Sequence, residues 1–355
     1  MASENQIPYT LAQYSPNIFN ATKSLSRLKL DKQRPPCTWI DPNGDLHLKV
    51  GTNETARIFV VCSKDMVRSS AFWWRLLYGG FAESKRPNPE DEESDWIVEL
   101  PDDNPESMEI LLSIVHDQYE PYLESDSPIS VSDLYELCVL TDKYGMTHVL
   151  RPWAKGWAKA MSPPVMWNIW HEFHYKTDEY RRRLWIAWEL GDTISFVTMA
   201  RRLLVFCSPT PDPQILEPPG LYDILAEKRL ATIDKLLEFH RDAVDKLLND
   251  SATTLCQRPN EHRNCAVIML GNTIGSLHKC GFWPIPQAKD VKESPMIVMK
   301  TLKDMEAKGE DDCCTQSTDL GVKIDTEMQK LMGCRFLTTE HLNHIKAQAK
   351  KTGLS

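Results

Sequence analysis

Polar and apolar residues alternate strictly over residues 45–50, near the start of the first compact part of the chain. Strict alternation is the pattern of a strand with one buried face. Residues 57–61 are a second, mostly apolar run after a short turn that contains Gly and Asn, and this pair of runs predicts a β-hairpin. Residues 96–100 are predicted to form a third strand. We therefore expect a small sheet in this part of the chain.

Helical periodicity dominates the rest of the chain, where apolar residues recur every three or four positions. Between and after the strands, these stripes predict helices over residues 63–70, 71–78, 105–115, 130–144 and 146–159. From residue 162 onward no segment has a convincing strand pattern. Helices are predicted there over residues 167–175, 180–190, 193–207, 221–249, 265–279, 295–307 and 319–350.

These patterns divide the chain into three parts. Residues 1–40 carry scattered polar residues and a Pro-Pro pair without a sustained period, which indicates an irregular N-terminal arm. Residues 41–160 hold the sheet and the helices that cap it. Residues 161–355 are all helical, with a Pro-rich break near residues 208–220. The expected fold class is therefore α+β, a small sheet capped by helices and followed by an all-helical C-terminal region.

Tryptophan is abundant, with eleven residues, and most of them occur in pairs. The pairs are Trp73 with Trp74, Trp153 with Trp157, Trp167 with Trp170, and Trp185 with Trp188. Residues three or four apart lie on the same face of a helix, where their rings bury a large apolar area. A base-stacking platform or an aromatic cage would be interleaved with Lys or Arg, and these pairs mostly are not. We therefore interpret the pairs as core packing.

Net charge and hydropathy restrict the class of partner. The chain has 355 residues with 41 Lys and Arg against 50 Asp and Glu, so its formal charge of −9 repels nucleic acid and anionic lipid. It contains no uninterrupted apolar run of about 18 residues, and its opening residues lack the pattern of a secretory signal. We expect an intracellular protein, cytoplasmic, nuclear or both, that binds neither nucleic acid nor membranes.

Sequence motifs for catalysis are absent from the chain. It has no Gly-rich phosphate-binding motif, no Gly-x-Ser-x-Gly nucleophile motif and no His-Glu-x-x-His zinc motif. We expect a protein that is not an enzyme and needs no cofactor. An enzyme with an unrecognised site in the helical half remains a further alternative, which would require converging titratable groups in a pocket there.

The first domain resembles the BTB/POZ family, in the form that is abundant in fungi. The match covers residues 41–159 and depends on the order of strands and helices together with short signature words. These words are Gly-Asp-Leu at 44–46, the spacing of Met66, Ser70 and Trp73, the segment 98–112 with its Leu-Pro-Asp-Asp, and Leu-Thr-Asp-Lys-Tyr at 140–144. The helical region also resembles the tail of such proteins, which brings no known activity with it.

The resemblance implies self-association. BTB domains pair through the first helix and an adjoining strand, across a two-fold axis. In this chain the implied dimer interface includes Met66, Phe72 and Trp73, and residues 11–30 of the arm could add to it. The alternative is that all three side chains belong to the core of a single chain.

The resemblance also implies a second contact. Some BTB proteins recruit a cullin-type ubiquitin-ligase scaffold through an apolar-x-Glu triplet just after the second helix, and Phe81-Ala82-Glu83 has the matching place. Phe81 would fill a pocket on the helical partner and Glu83 would fix the register. We expect a non-enzymatic interaction protein that associates with itself and recruits partners. The alternative function is a substrate adaptor for a cullin-type ubiquitin ligase. The alternative interpretation of Phe81 and Glu83 is that they belong to an ordinary loop.

Cysteines in the helical half are the remaining candidates for chemistry, since seven of the ten lie beyond position 200. Cys256 and Cys265 precede one predicted helix, and Cys313 and Cys314 follow another. Thiolates are preferred ligands of structural zinc, although no Cys-x-x-Cys pair is present. Two interpretations therefore remain open, a structural zinc bound by these four cysteines or reduced thiols without metal.

Overall fold

The structure, a computed structural model, describes residues 37–52, 55–86, 95–118, 129–161, 177–207, 213–249, 264–305 and 317–355. The fold is mixed α+β, as expected, with a small sheet near the N terminus followed by many helices. We refer to residues 37–161 as the first region and to residues 177–355 as the helical region. No helix within the described ranges combines the length and the apolar character needed to cross a membrane.

Four short strands form the sheet. They are β1 (Cys37–Trp39), β2 (Leu46–Val50), β3 (Arg57–Val61) and β4 (Ile97–Leu100). Their spatial order is β1-β3-β2-β4, with β2 and β3 antiparallel and each outer strand parallel to its neighbour. The predicted hairpin is therefore the centre of the sheet, and β1 and β4 are its edges.

The side chains of β2 follow the alternation seen in the sequence. Leu46, Leu48 and Val50 are buried, whereas His47 and Lys49 lie on the opposite face and are partly exposed. Strand β1 lies in the segment that the sequence assigned to the irregular arm. It was not predicted because three residues are too few to display a period.

The helices of the first region begin and end close to the predicted positions. They are α1 (Ser63–Ser69), α2 (Ala71–Tyr78), α3 (Pro105–Val115), α4 (Val131–Tyr144) and α5 (Arg151–Met161), with a 3-10 turn at Thr147–Leu150. At the starts of α2 and α3, the side chains of Ser70 and Asn104 accept a hydrogen bond from a backbone N–H of the first turn. Cys62 is the N-cap of α1, and the backbone N–H and the hydroxyl of Ser63 both donate to the carboxylate of Asp45.

Seven α-helices are described in the helical region. They are α6 (Thr177–Leu190), α7 (Thr193–Phe206), α8 (Leu221–Asn249), α9 (Cys265–Lys279), α10 (Pro295–Lys303), α11 (Ser317–Gly333) and α12 (Thr339–Thr352). The single helix predicted over residues 319–350 is wrong, since α11 and α12 are separate. Thr338 starts α12 with a capping box that includes His341. The helix predicted over residues 167–175 lies outside the described residues.

The two regions share one core. Helix α6 packs against α4, and α12 packs against α5, α6 and the 3-10 turn at Thr147–Leu150. Buried apolar residues form a continuous cluster from Ile40 beside the sheet to Ile345 in α12. Helix α12 therefore packs against both the first region and the helical region.

A buried polar cluster lies where α12 meets the first region. Glu189 of α6 is fully buried and accepts hydrogen bonds from Thr147, from Thr141 at 3.3 Å and from Nε2 of Gln348 in α12 at 2.6 Å. Desolvation by burial raises the pKa of Glu189 to about 7, and the hydrogen bond from Thr147 opposes this shift. The cluster joins α4, α6 and α12 through one titratable group.

Gly191 allows α12 to approach α6 closely. Its φ is +81°, and a Cβ placed on it would lie 2.2 Å from the backbone nitrogen of Ala349 in α12. Just beyond this contact, the hydroxyl of Thr352 donates to the carbonyl of Leu190 at 2.6 Å. The end of α6 and the end of α12 are therefore fixed together by backbone contact as well as by the side chains of the polar cluster.

Candidate protein-interaction site

Exposed aromatic side chains collect on α2 and on the turn that follows it. Trp74 is 54% exposed, Tyr78 is 41% exposed and Phe81 is 56% exposed, and we refer to these three residues as the aromatic patch. Helix α2 buries Trp73 and Leu77, whereas Trp74 and Tyr78, four residues apart, share a neighbouring face that is exposed to solvent. The helix therefore presents aromatic rings on both its buried and its exposed faces.

The turn after α2 is held in one conformation by hydrogen bonds. Gly80 has a φ of +87°, which favours glycine, and its N–H donates to the hydroxyl of Ser84 at 3.1 Å. The same hydroxyl donates to the carbonyl of Leu76, in the last turn of α2, at 2.9 Å. Ser84 thus ties the turn back to the helix.

The Phe81-Ala82-Glu83 triplet is fixed from the other side by β4. Phe81 is extended and stands directly before a one-turn 3-10 helix, Ala82–Ser84. The carbonyl of Glu83 accepts a hydrogen bond of 2.7 Å from the indole N–H of Trp96, next to β4. The backbone of the triplet is therefore anchored at both ends, while the ring of Phe81 remains exposed.

Arg86 orders the ring of Tyr78 within the aromatic patch. Its guanidinium lies 4.6 Å from the ring centre of Trp96 and 5.2 Å from that of Tyr78, and it donates to the Tyr78 hydroxyl at 2.6 Å. The Tyr78 hydroxyl is also 2.9 Å from that of Ser63, which donates to Asp45. These contacts connect the patch to the starts of β2 and α1.

Two of the three residues expected at a dimer interface lie in the core of a single chain. Met66 and Trp73 are fully buried, and the indole of Trp73 stacks on Tyr144 with ring centres 4.9 Å apart. Neither offers surface to a second chain in this arrangement, which agrees with the alternative interpretation of these two as core. Phe72 is 41% exposed and packs edge-on against Tyr144. Residues 11–30 of the arm lie outside the described residues.

One of the four cysteines expected to bind zinc is described. Cys265 is buried at the start of α9, beside Leu247 and Met269. The other three are Cys256, Cys313 and Cys314, which lie outside the described residues. The zinc site therefore stays a prediction.

Among the described residues, one group of three side chains has metal-ligand geometry, and the sequence reasoning missed it. The ligand atoms of Asp41, Cys62 and Asp65 lie within 4.8 Å of one another. Both carboxylates have partners within the protein, because Asp65 pairs with Arg68 at 2.7 Å and Asp41 accepts from the backbone N–H of Asn43 at 2.7 Å. The group is consistent with ordinary surface pairing.

The sequence singled out Phe81 and Glu83 as partner-binding residues, which stays a prediction, and did not point to Trp74, Tyr78 or Arg86. The prediction that Trp74 belongs to the core is wrong, since this side chain is mostly exposed. The available signal was the spacing of Trp74 and Tyr78, which places both rings on one helical face, next to the face that carries Trp73 and Leu77. No protein-family model matches the chain, and no curated protein matches it at a significant level.

Proposed function

We propose that the chain is a non-enzymatic protein-interaction protein that recruits a partner through the aromatic patch of a BTB/POZ-like first region. The observation that carries this proposal is the exposure of Trp74, Tyr78 and Phe81 on a backbone that hydrogen bonds hold in place. Trp and Tyr are enriched among the residues that contribute most to binding energy at protein interfaces. A scaffold or adaptor would use such a surface.

The hydrogen bonds around the patch favour tight binding. A surface that is already ordered loses less side-chain and backbone entropy when a partner binds. Arg86 and Trp96 hold Tyr78 and the triplet in position before any contact forms. A larger share of the free energy gained when a partner buries the rings therefore remains as binding affinity.

We propose self-association as part of this function, with Phe72 at the interface in place of the buried Met66 and Trp73. The test is the solution mass of the full chain, measured by size exclusion with light scattering over a range of concentrations. A mass of two chains that persists on dilution, and that Phe72→Asp reduces to one, supports it. A strict monomer removes self-association and leaves partner recruitment to be tested separately.

A cullin-type substrate adaptor is the second candidate function. It is favoured by the placement of Phe81 directly before the one-turn helix that carries Glu83. An exposed ring at a fixed position can enter a pocket on a helical partner, and a carboxylate two residues later can set the register of the complex. This candidate specifies the partner that the aromatic patch would bind.

The test is titration of the full chain with a purified cullin-type scaffold by calorimetry. Phe81→Ala should weaken binding at least about 30-fold, which corresponds to a loss of about 2 kcal/mol, the level of an interface hot spot. Trp39→Ala is the matched control, because Trp39 is 57% exposed but lies on β1, the edge of the sheet opposite β4. It should leave affinity unchanged.

Three results would count against these proposals. Absence of binding by the unsubstituted chain would exclude the cullin adaptor. Equal loss of affinity in Phe81→Ala and Trp39→Ala would show that the aromatic patch is not the contact surface. Recruitment in general is tested with a partner that is captured from extract, identified and then purified. This partner should bind the unsubstituted chain and fail to bind the Phe81→Ala variant. Binding of the partner to Phe81→Ala would contradict the proposal.

A further inference from the structure

Helix α12 is attached to the rest of the chain mostly through buried polar side chains. Of its five buried residues, His341, Gln348 and Thr352 are polar, and Ile345 and Ala349 are apolar. Helix α6, by contrast, buries seven apolar side chains. Because apolar burial contributes less to the attachment of α12, this attachment depends more on hydrogen bonds and on the charge of the groups that form them.

One of these polar contacts is made to a buried carboxylate that has no counter-ion. Nε2 of Gln348 donates to Oε2 of Glu189 at 2.6 Å, while Thr147 and Thr141 donate to Oε1. Among the described residues, no Lys, Arg or His forms an ion pair with Glu189, which has no exposed surface. An ionised carboxylate here is an uncompensated buried charge, whereas a neutral carboxyl can donate its proton to the hydroxyl of Thr147.

The charged groups near Glu189 do not remove this penalty. Burial raises the pKa of Glu189 to about 7, and the hydrogen bond from Thr147 opposes this shift. Asp142 of α4 raises the pKa further, whereas Lys351 of α12 lowers it. Cys138 of α4 also faces Glu189, and burial raises the pKa of its thiol, so this group stays neutral. Glu189 is therefore the group on this side of the interface that changes its charge near neutral pH.

Two histidines at the same interface act in the opposite direction. Burial lowers the pKa of His344 on α12 and of His148 in the 3-10 turn, and Lys351 lowers both further. Such groups weaken the attachment of α12 as the pH falls. Arg151 of α5 lies beside Gly353 at the end of α12 and keeps its charge at every pH considered. Glu189 is thus the group that weakens the attachment as the pH rises.

We propose that α12 is a pH-sensitive conformational switch, docked when Glu189 is neutral and released when Glu189 is ionised. Release gives water access to the carboxylate while α4 and α6, which pack against each other, stay in place. It also uncovers Trp188 of α6, whose ring stacks on His344 of α12 with ring centres 3.8 Å apart. The pH therefore sets whether this aromatic surface of α6 is covered.

The sign and the size of the effect follow from the two pKa values of Glu189. The released state has the ordinary value of about 4.3 and the docked state a value of about 7. The stabilisation of the docked helix is fully present below about pH 4.3 and is lost as the pH rises through about 7. From this group alone, the equilibrium constant for opening should increase about 40-fold between about pH 5 and about pH 7.

The test is hydrogen exchange of the full chain, measured by mass spectrometry from about pH 5 to about pH 8 and corrected for the intrinsic pH dependence of exchange. The reference is Glu189→Gln, which keeps the size of the side chain and cannot ionise. The contribution of the two histidines cancels in this comparison. Opening of the α12 amides should increase about 40-fold more in the unsubstituted chain than in the variant between about pH 5 and about pH 7. The same increase in both would overturn the proposal.

Amides of α4 and α6 distinguish release of one helix from unfolding of the whole chain. They should keep their protection over the pH range in which α12 loses it. If the amides of all three helices opened together and to the same extent, ionisation of Glu189 would unfold the chain as a whole. That result would overturn α12 as a separate switch.

Two adjacent lysines of α12 provide a matched pair of variants. Lys351→Gln removes the positive charge that lowers the pKa of Glu189, so α12 should open at least about twofold more at about pH 8 than in the unsubstituted chain. Lys350→Gln is the control for the loss of one charge at the same end of the helix. Both side chains are exposed, so the fold should be unaffected. Equal opening in the two variants would contradict control by the charge of Glu189.

Discussion

The first region and the helical region use their aromatic residues in opposite ways. Exposed large aromatic side chains all belong to the first region among the described residues: Trp39, Phe72, Trp74, Tyr78 and Phe81. The exposed large apolar side chains of the helical region are aliphatic instead: Ile194, Leu216, Leu230, Leu248, Val267, Ile268, Val322, Met332 and Leu342. The difference is one reason why we propose the first region as the part of the chain that recruits a partner.

The helical region places its aromatic rings inside. Trp185 and Trp188 are buried in α6, and Trp188 stacks on His344 of α12 with ring centres 3.8 Å apart. A buried ring contributes its apolar area to the core, whereas an exposed ring contributes only when a partner covers it. The two regions therefore share one core, while their exposed large apolar side chains differ in kind.

The largest expected effect concerns two adjacent tryptophans on α2. Trp73→Ala should lower the free energy of unfolding by about 3–5 kcal/mol, because it leaves a cavity beside Tyr144 in the core. Trp74→Ala should change it by less than about 0.5 kcal/mol, since Trp74 is exposed. Urea unfolding of both variants measures the difference. Similar values for the two would contradict the placement of α2.

The next effect concerns the contact between α6 and α12. Gly191→Ala should lower the free energy of unfolding by more than about 2 kcal/mol, because the new methyl group meets the backbone of Ala349 and φ is positive. Gly220→Ala is the matched control: Gly220 has a φ of +70° with no atom near the added Cβ, so it should cost only about 1 kcal/mol. Equal costs would show that α12 does not approach α6 this closely.

A pH dependence is expected from Glu189, whose folded pKa of about 7 exceeds the unfolded value of about 4.3. The folded state then binds more protons between these values, so stability is fully present below pH about 4.3 and falls as pH rises through about 7. The loss amounts to up to about 4 kcal/mol. Glu189→Gln should remove this loss, as judged by urea unfolding at acid and neutral pH.

Other titratable groups contribute to the same pH range, so the informative quantity is the difference between Glu189→Gln and the unsubstituted chain. Glu340→Gln on the exposed side of α12 is the control and should leave the pH profile unchanged. If Glu189→Gln kept the full pH dependence, the buried cluster would not be its source.

The smallest expected effect on stability is at the aromatic patch. Phe81→Ala and Trp39→Ala should each change the free energy of unfolding by less than about 0.5 kcal/mol, because both rings are mostly exposed. Thermal unfolding of the two variants checks this. A large loss of unfolding free energy in Phe81→Ala would mean that the Phe81 ring stabilises the turn after α2. It would then be weaker evidence for a partner-binding surface.

Local periodicity predicted the elements whose pattern is long or strict. The hairpin of β2 and β3 follows from alternation, and the bounds of α8 and α9 match the predicted ranges 221–249 and 265–279. The break between α11 and α12 was missed, since one helical stripe continues through residues 334–338. The capping box at Thr338 was a local signal that could have revealed it.

The sequence by itself determined where the strands and most helices lie, because spacing along the chain specifies which residues share a face. Tertiary structure decided which of two adjacent tryptophans is buried and which helix covers Glu189. These outcomes depend on partners that are distant in the chain: Gln348 of α12 donates to Glu189, and Tyr144 of α4 stacks on Trp73 of α2. Periodicity carries no information about such pairs, so only packing could settle them.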